Sequence, residues 1–370
     1  MILTPLLLLF ALQGGKPAPV KPLNPAIAPP IAPKATQARL AGDLDKAVTL
    51  YRQGLKTQPN WAEGWYFLGT IHYERDQSKE CVAAMGQFVK LAPEVSNAAA
   101  ILGLCLFQSK DYAGALSALI RAERLGLPRG EALTDVASYH AAMLFTKDEN
   151  FERAMKILNF FANRDPLDPK IVEAAGIATL RMGIFPSELP TADREVVYRT
   201  GRAILTAGNR RTAEAVRQFT AIVHDFPSTP NLHFAFGTLL IGADPEQAIA
   251  TLRKELEIQP KHLPARVLLG IEYLNRGEPG PAVQLGEEAV ALAPANFTGH
   301  VVLGRALAES GSDVSRGIQE LEYAAKLEPA SPQVRIALAS AYAKAGRTKE
   351  AAAERTEFQR LKKLLEDQGR

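Results

Sequence analysis

The sequence predicts an all-α fold, an α-solenoid of about ten stacked helical hairpins, and three observations predict it. Prolines close apolar helical stretches in like contexts: TQP at Pro59, LAP at Pro93, DFP at Pro227, IQP at Pro260, LAP at Pro294 and LEP at Pro329. Their spacing is even, 34 residues from Pro59 to Pro93, then 33, 34 and 35 from Pro227 through Pro260 and Pro294 to Pro329. Small residues recur at Gly69, Gly103, Gly176, Gly237, Gly270 and Gly304, with large apolar residues three or four positions away, as where two helices approach closely. A single hairpin cannot bury its apolar face, so neighbouring units must stack.

The elements follow in order. Ile2–Leu12 (ILTPLLLLFAL) is an apolar run, far short of the roughly twenty residues that span a bilayer. It fits the hydrophobic part of an export signal over residues 1–15, although no Lys or Arg precedes it; an uncleaved anchor is the alternative. No stable transmembrane segment is expected after processing, and the localisation expected is exported, periplasmic or envelope-associated, with cytoplasmic as the other case. Lys16–Lys34 holds seven prolines, so residues 16–35 read as an extended linker, because proline fixes φ and removes a backbone donor. From Thr36 the repeats begin, with a first stack over 36–182. The segment Gly183–Glu195 (GIFPSELPTADRE) has two prolines and no apolar periodicity, so 183–195 reads as an irregular linker loop. A second stack covers 196–370. It ends in a helix from about Thr348 to Glu366 that keeps Phe358, Leu361 and Leu365 on one stripe and surrounds it with charge, as a capping element requires.

Individual units carry a recognisable pattern. Trp65-x2-Leu68-Gly69 is followed by His72, Cys81 and Pro93; Leu269-Gly270-x2-Tyr273 is followed by Ala282 and Pro294. Ala47-x3-Tyr51, Ala215-x3-Phe219 and Ala248-x3-Leu252 precede Pro59, Pro227 and Pro260. With a period of about 34 residues and two helices per unit, the chain resembles the tetratricopeptide-repeat family. That resemblance implies a right-handed superhelix whose first helices line a concave groove for an extended or helical peptide.

Composition bounds the chemistry. The net charge is +3 and the pI about 8.7, with no Lys/Arg run, so no nucleic-acid partner is expected. No phosphate-loop, dinucleotide, H-E-x-x-H or G-x-S-x-G signature occurs, and the repeats leave no room for a catalytic domain. The chain is therefore read as no enzyme, with no cofactor and no metal site. The six histidines are scattered, and Asp43, Asp45, Asp165 and Asp168 read as turn and helix-start residues. Cys81 and Cys105 read as small buried thiols, with a disulfide between neighbouring helices as the alternative.

Function is then expected on the solenoid's surfaces, as a protein–protein interaction scaffold with protein or peptide partners. Carried over from the resemblance, the groove set is Tyr66, Tyr73, Phe107, Tyr139 and Phe234, within a wider set that includes Glu63, Thr70, Asn97, Leu104, Met143, Asn231 and Arg305. These aromatics suit the apolar anchors of a partner. The Lys, Arg and Asn set that grips a C-terminal carboxylate in the family's peptide clamps is missing. Self-assembly into an oligomer, or service as the regulatory repeat subunit of an envelope enzyme, are the other classes.

Overall fold

The computed structural model describes residues 28–128, 130–164 and 167–368. The expected export signal, residues 16–27 of the expected linker, and Asp165 lie outside the described residues. The described residues form α-helices and three short 3-10 turns, with no strand. The chain divides into two compact units, Met1–Arg194 and Glu195–Arg370, each an all-α solenoid stack of helical hairpins.

In the first unit the hairpins pair α1 (Ala32–Leu40) with α2 (Leu44–Thr57), α3 (Ala62–Glu74) with α4 (Ser78–Leu91), α5 (Ser96–Gln108) with α6 (Tyr112–Leu125), and α7 (Ala132–Lys147) with α8 (Phe151–Leu158). A lone first helix, α9 (Pro169–Thr179), follows. In the second the pairs are α10 (Arg194–Gly208) with α11 (Thr212–Asp225), α12 (Leu232–Leu240) with α13 (Pro245–Ile258), α14 (Leu263–Asn275) with α15 (Pro279–Leu292), α16 (Phe297–Ser310) with α17 (Val314–Leu327), and α18 (Pro332–Lys344) with α19 (Thr348–Gln368).

Local chemistry explains why the chain reverses where it does. Each first helix ends on a residue of positive φ, at Gly42, Asp76, Lys110, Glu149, Arg181, Arg210, Gly242, Gly277, Gly311 and Gly346. At eight of these ten turns, all but Gly242 and Gly311, the amide one residue on reaches back to an otherwise orphaned helix carbonyl, as in Gln77 N to His72 O at 2.9 Å and Arg347 N to Tyr342 O at 2.9 Å, which is the Schellman closure. Several second helices then start on a side-chain cap: Asp43, Asp111, Asn150, Asp244 and Asp313 each accept from the amide three residues on.

The closing prolines have a role the period alone does not reveal. In five units a donor six residues later holds the proline's carbonyl: Trp65 Nε1 to Pro59 O at 2.8 Å, His233 Nε2 to Pro227 O at 3.0 Å, Arg266 Nη2 to Pro260 O at 2.7 Å, His300 Nε2 to Pro294 O at 2.9 Å and Arg335 Nη2 to Pro329 O at 3.0 Å. Trp, His and Arg interchange at this position, and the Thr134 hydroxyl does the same for Pro128 O at 2.6 Å, because the link between units needs a hydrogen-bond donor, and a buried carbonyl without one would carry the cost of an unmade hydrogen bond. Close helix contact is equally physical. A Cβ on Gly304 would lie 2.6 Å from Leu321 Cγ and 2.8 Å from the Gly317 carbonyl oxygen.

Four expectations need correction. Residues 28–35, assigned to an extended linker, are folded: Pro29 is buried, α1 begins at Ala32, and Ala35 is fully buried. Pro33 sits in the first turn of that helix, where its missing N–H costs nothing. The segment 183–195 is not a free linker either. It forms 3-10 turns at Pro186–Glu188 and Thr191–Asp193, buries Phe185 and Leu189, and gives way to helix already at Arg194. Of the stripe expected on α19 only Leu361 is buried; Phe358 is half-buried and Leu365 is 55% exposed, because the helix runs on past the end of α18. Finally, Cys81 and Cys105 are fully buried but joined as a disulfide, with Cα atoms 6.1 Å apart. The bond runs from α4 to α5, so it staples one hairpin to the next.

Candidate partner-binding faces

Tyr66 is 1% exposed and belongs to the core. An aromatic ladder claims it: Tyr51 meets Trp61 at 5.5 Å and Phe67 at 5.9 Å, and Tyr66 meets Phe67 at 5.5 Å and Phe88 at 5.2 Å between ring centroids. Tyr66 therefore packs onto Phe88 of the paired helix α4 and onto its neighbour Phe67, inside the core and not in an open groove. Thr70, Leu104 and Met143 of the wider set are buried as well. Tyr73 is half-buried against the same core, and its hydroxyl is pushed up to about 12, first by burial and then by the Asp76 carboxylate.

Phe107 and Tyr139 are brought together through a residue between them. Phe107, near the end of α5, packs edge-on against His140 of α7 at 4.7 Å, and Tyr139 meets the same imidazole at 5.5 Å. His140 Nδ1 donates to the Val136 carbonyl at 2.8 Å, which fixes the tautomer. Burial drives the imidazole down to about 4, so it is a neutral aromatic at ordinary pH. Burial also raises the Tyr139 hydroxyl, with help from the Glu173 and Asp168 carboxylates. Two further rings complete the patch: Tyr112, 37% exposed at the start of α6, lies 5.4 Å from Phe107, and Phe185 lies 4.9 Å from Tyr112 and 5.7 Å from Phe107.

Sequence reasoning missed Phe185 and Tyr112. The signal for Phe185 was the pair Phe185 and Leu189, one helical turn apart in a segment otherwise read as structureless.

In the second unit Phe234 of α12 forms one wall of a cleft of about 330 Å³ that also involves Thr238, Pro264, Val267, Leu268 and Thr298. The cleft lies across the first helices of successive hairpins. Its wall is built by a buried polar network. Asn231 takes positive φ, so α12 begins only at Leu232, and the fully buried Glu255 carboxylate accepts from Asn231 N at 2.8 Å and Phe234 N at 3.1 Å. His262 accepts from Ala265 N through Nδ1 at 2.9 Å and donates through Nε2 to Asn231 Oδ1 at 2.8 Å. Its ring then supports Phe234 at 4.8 Å. Arg305 of the wider set is engaged by Glu309 at 3.0 Å.

Among the described residues no cluster of His, Cys, Asp and Glu is arranged to hold a metal, and no helix is long and apolar enough to cross a membrane. Asp43 and Asp168 cap the starts of α2 and α9.

These hairpins define the class of the protein. Residues 78–126, from α4 through α6, match the tetratricopeptide repeat family model, and the hairpins described in both units are of the same two-helix kind. No curated protein matches the sequence. Among solved structures, a MamA RS-1 double mutant is 21% identical, with 47% of this chain and 97% of that chain covered and a TM-score of 0.42. MamA from Desulfovibrio magneticus RS-1, from its residue 41 to the end, is also 21% identical, covering 46% and 96% at a TM-score of 0.42. A crystal structure of MamA is 17% identical, covering 45% and 96% at 0.39.

Proposed function

We infer that the chain is a non-catalytic scaffold that binds protein or peptide partners on the first-helix faces of its two units, within the cell envelope. The observation that carries the reading is the half-buried aromatic patch of Phe107, Tyr112 and Tyr139 around a neutral His140, with the Phe234 cleft as a second contact point. Rigid aromatic rings with a polar edge give large contact area at small entropic cost, which suits the anchor of a partner. Envelope placement is supported by two features. The apolar run Ile2–Leu12 suits an export signal, and a disulfide between hairpins is at home in an oxidising compartment. Partners captured by crosslinking in the native envelope should depend on these faces. Replacing Phe107, Tyr139 and Phe234 by Ala should weaken that capture at least tenfold with helix content retained; undiminished capture would rule the faces out.

A further inference from the structure

We propose that the strap Gly183–Pro190 occupies, within the chain itself, the place of a partner's peptide on the aromatic face of the first unit, and that the partner is a segment forming one short turn and carrying an aromatic residue, a proline directly after it, an acidic residue three positions on and an apolar residue next to that. The proposal rests on the binding function inferred above.

The strap's path is the first reason. Every other first helix among the described residues is followed by a second helix, whereas α9 is followed by this segment. The chain turns at Arg181, of positive φ, passes the end of α7 at Lys147, and sets Phe185 onto Phe107 of α5 and Tyr112 of α6. It therefore skips back beyond its nearest hairpin to reach the aromatic patch, and Phe185 is left 8% exposed.

The way it is held is the second. The backbone is extended at Phe185 (φ −80°, ψ 155°), Leu189 (φ −65°, ψ 121°) and Pro190 (φ −60°, ψ 143°). Its backbone hydrogen bonds close locally, from Glu188 N to Phe185 O at 2.9 Å and Leu189 N to Pro186 O at 3.3 Å, and the Phe185 amide donates to its own strap's Glu188 carboxylate at 2.7 Å. The grip on the helices comes from side chains. Lys147 Nζ stands 5.4 Å over the Phe185 ring and 2.9 Å from Glu188 Oε2. That ion pair is 38% and 46% exposed on its two sides, a class of contact that adds little stability. Two buried side chains, Phe185 and Leu189, and one weak ion pair hold an occupant that can leave without unravelling a helix, and they spell out what a competitor must carry.

A short tether gives the strap an effective concentration of order millimolar, and a face that is open only a fraction of the time binds its partner more weakly by that fraction. A fluorescent peptide of sequence MGIFPSELP, titrated by anisotropy against the full-length chain, tests this. Phe185→Ala should bind the peptide at least about tenfold more tightly than the unmutated chain, and adding Phe107→Ala should remove the gain. A peptide with Ala in place of its Phe should not bind. Equal affinity for the unmutated chain and Phe185→Ala, or no binding by a Phe185→Ala chain of normal helix content, overturns the proposal. Should Phe185→Ala misfold, Glu188→Lys keeps the ring and reverses the charge facing Lys147; it should tighten peptide binding about threefold, and an unchanged affinity is equally fatal. Failure here leaves capture through the Phe234 cleft intact, whereas failure of the scaffold reading shows as capture insensitive to Phe107, Tyr139 and Phe234 together.

Discussion

The two units are built from one kind of hairpin, yet they close and fasten it differently. In the second, Gly242, Gly277, Gly311 and Gly346 take the positive-φ position that ends a first helix, with Arg210 the exception. In the first, Gly42 is followed by Asp76, Lys110, Glu149 and Arg181 at the same position, each bearing a side chain where the left-handed conformation costs about 1 kcal/mol. The second unit links its successive hairpins by His and Arg donors to the closing prolines, a link the first unit makes through Trp65 to Pro59 and Thr134 to Pro128. The first adds an aromatic ladder, a disulfide and, after α9, a strap in place of a helix. Regular repeats stabilise themselves through nearest-neighbour contacts. In the first unit a cross-link and aromatic burial add to these contacts within the regular hairpins, the strap follows where the repeat pattern lapses after α9, and the patch proposed to bind a partner lies in that unit.

The sharpest test of this contrast is Tyr66→Ala. A large side chain would be lost from a closed core, so the first unit's unfolding free energy should fall by about 4 kcal/mol while the second unit's transition stays in place in calorimetry. An unmoved first transition would return Tyr66 to a surface role. Reducing the disulfide, or replacing both cysteines by Ser, comes next. Opening a closed loop of sequence separation 24 should cost the first unit about 3 kcal/mol, read as a lower urea midpoint with the second unit unaffected. The reciprocal perturbation is Glu255→Gln. It weakens the charge-assisted bonds to Asn231 N and Phe234 N and should lower the second unit's stability by about 2 kcal/mol, without touching the first.

Smaller effects refine the turn comparison. Lys110→Gly should stabilise the first unit by up to about 1 kcal/mol, and Gly311→Ala should destabilise the second by a similar amount; a gain or loss of the same sign in both would contradict the strain argument. The gentlest probe is pH. The His140 imidazole is driven down to about 4 in the folded chain from about 6.5 when unfolded, so between those values the unfolded state binds more protons. Stability of the first unit should therefore fall as pH drops from about 6.5 towards 4. His140→Phe should flatten that slope; an unaltered slope would remove His140 as its source.

Much of the architecture was legible because it is periodic. The closing prolines, the glycines at Gly69, Gly103, Gly237, Gly270 and Gly304, and the apolar stripes all repeat with the hairpin, so local patterns sufficed to place the helices. The candidate faces were legible only in part. Phe107 and Tyr139 do share an aromatic patch and Phe234 does line a cleft, but Tyr66 has the same pattern position and is buried. Its fate depends on Phe67 and on Phe88 of the paired helix, whose rings close the core around it. Phe185 went unseen for the opposite reason: it sits in a stretch with no period, and its partner rings lie more than seventy residues earlier in the chain.

The sequence by itself determined the hairpin, its period and the stacking of hairpins, since these follow from side-chain spacing and from turn chemistry within a few residues. Only the tertiary structure decided that Cys81 meets Cys105, that Glu255 caps the next helix back, and that Phe185 lies on Phe107. Each of these pairings joins residues from different helices or turns, and which groups meet across such an interface is set by how the helices pack, a quantity no local pattern encodes.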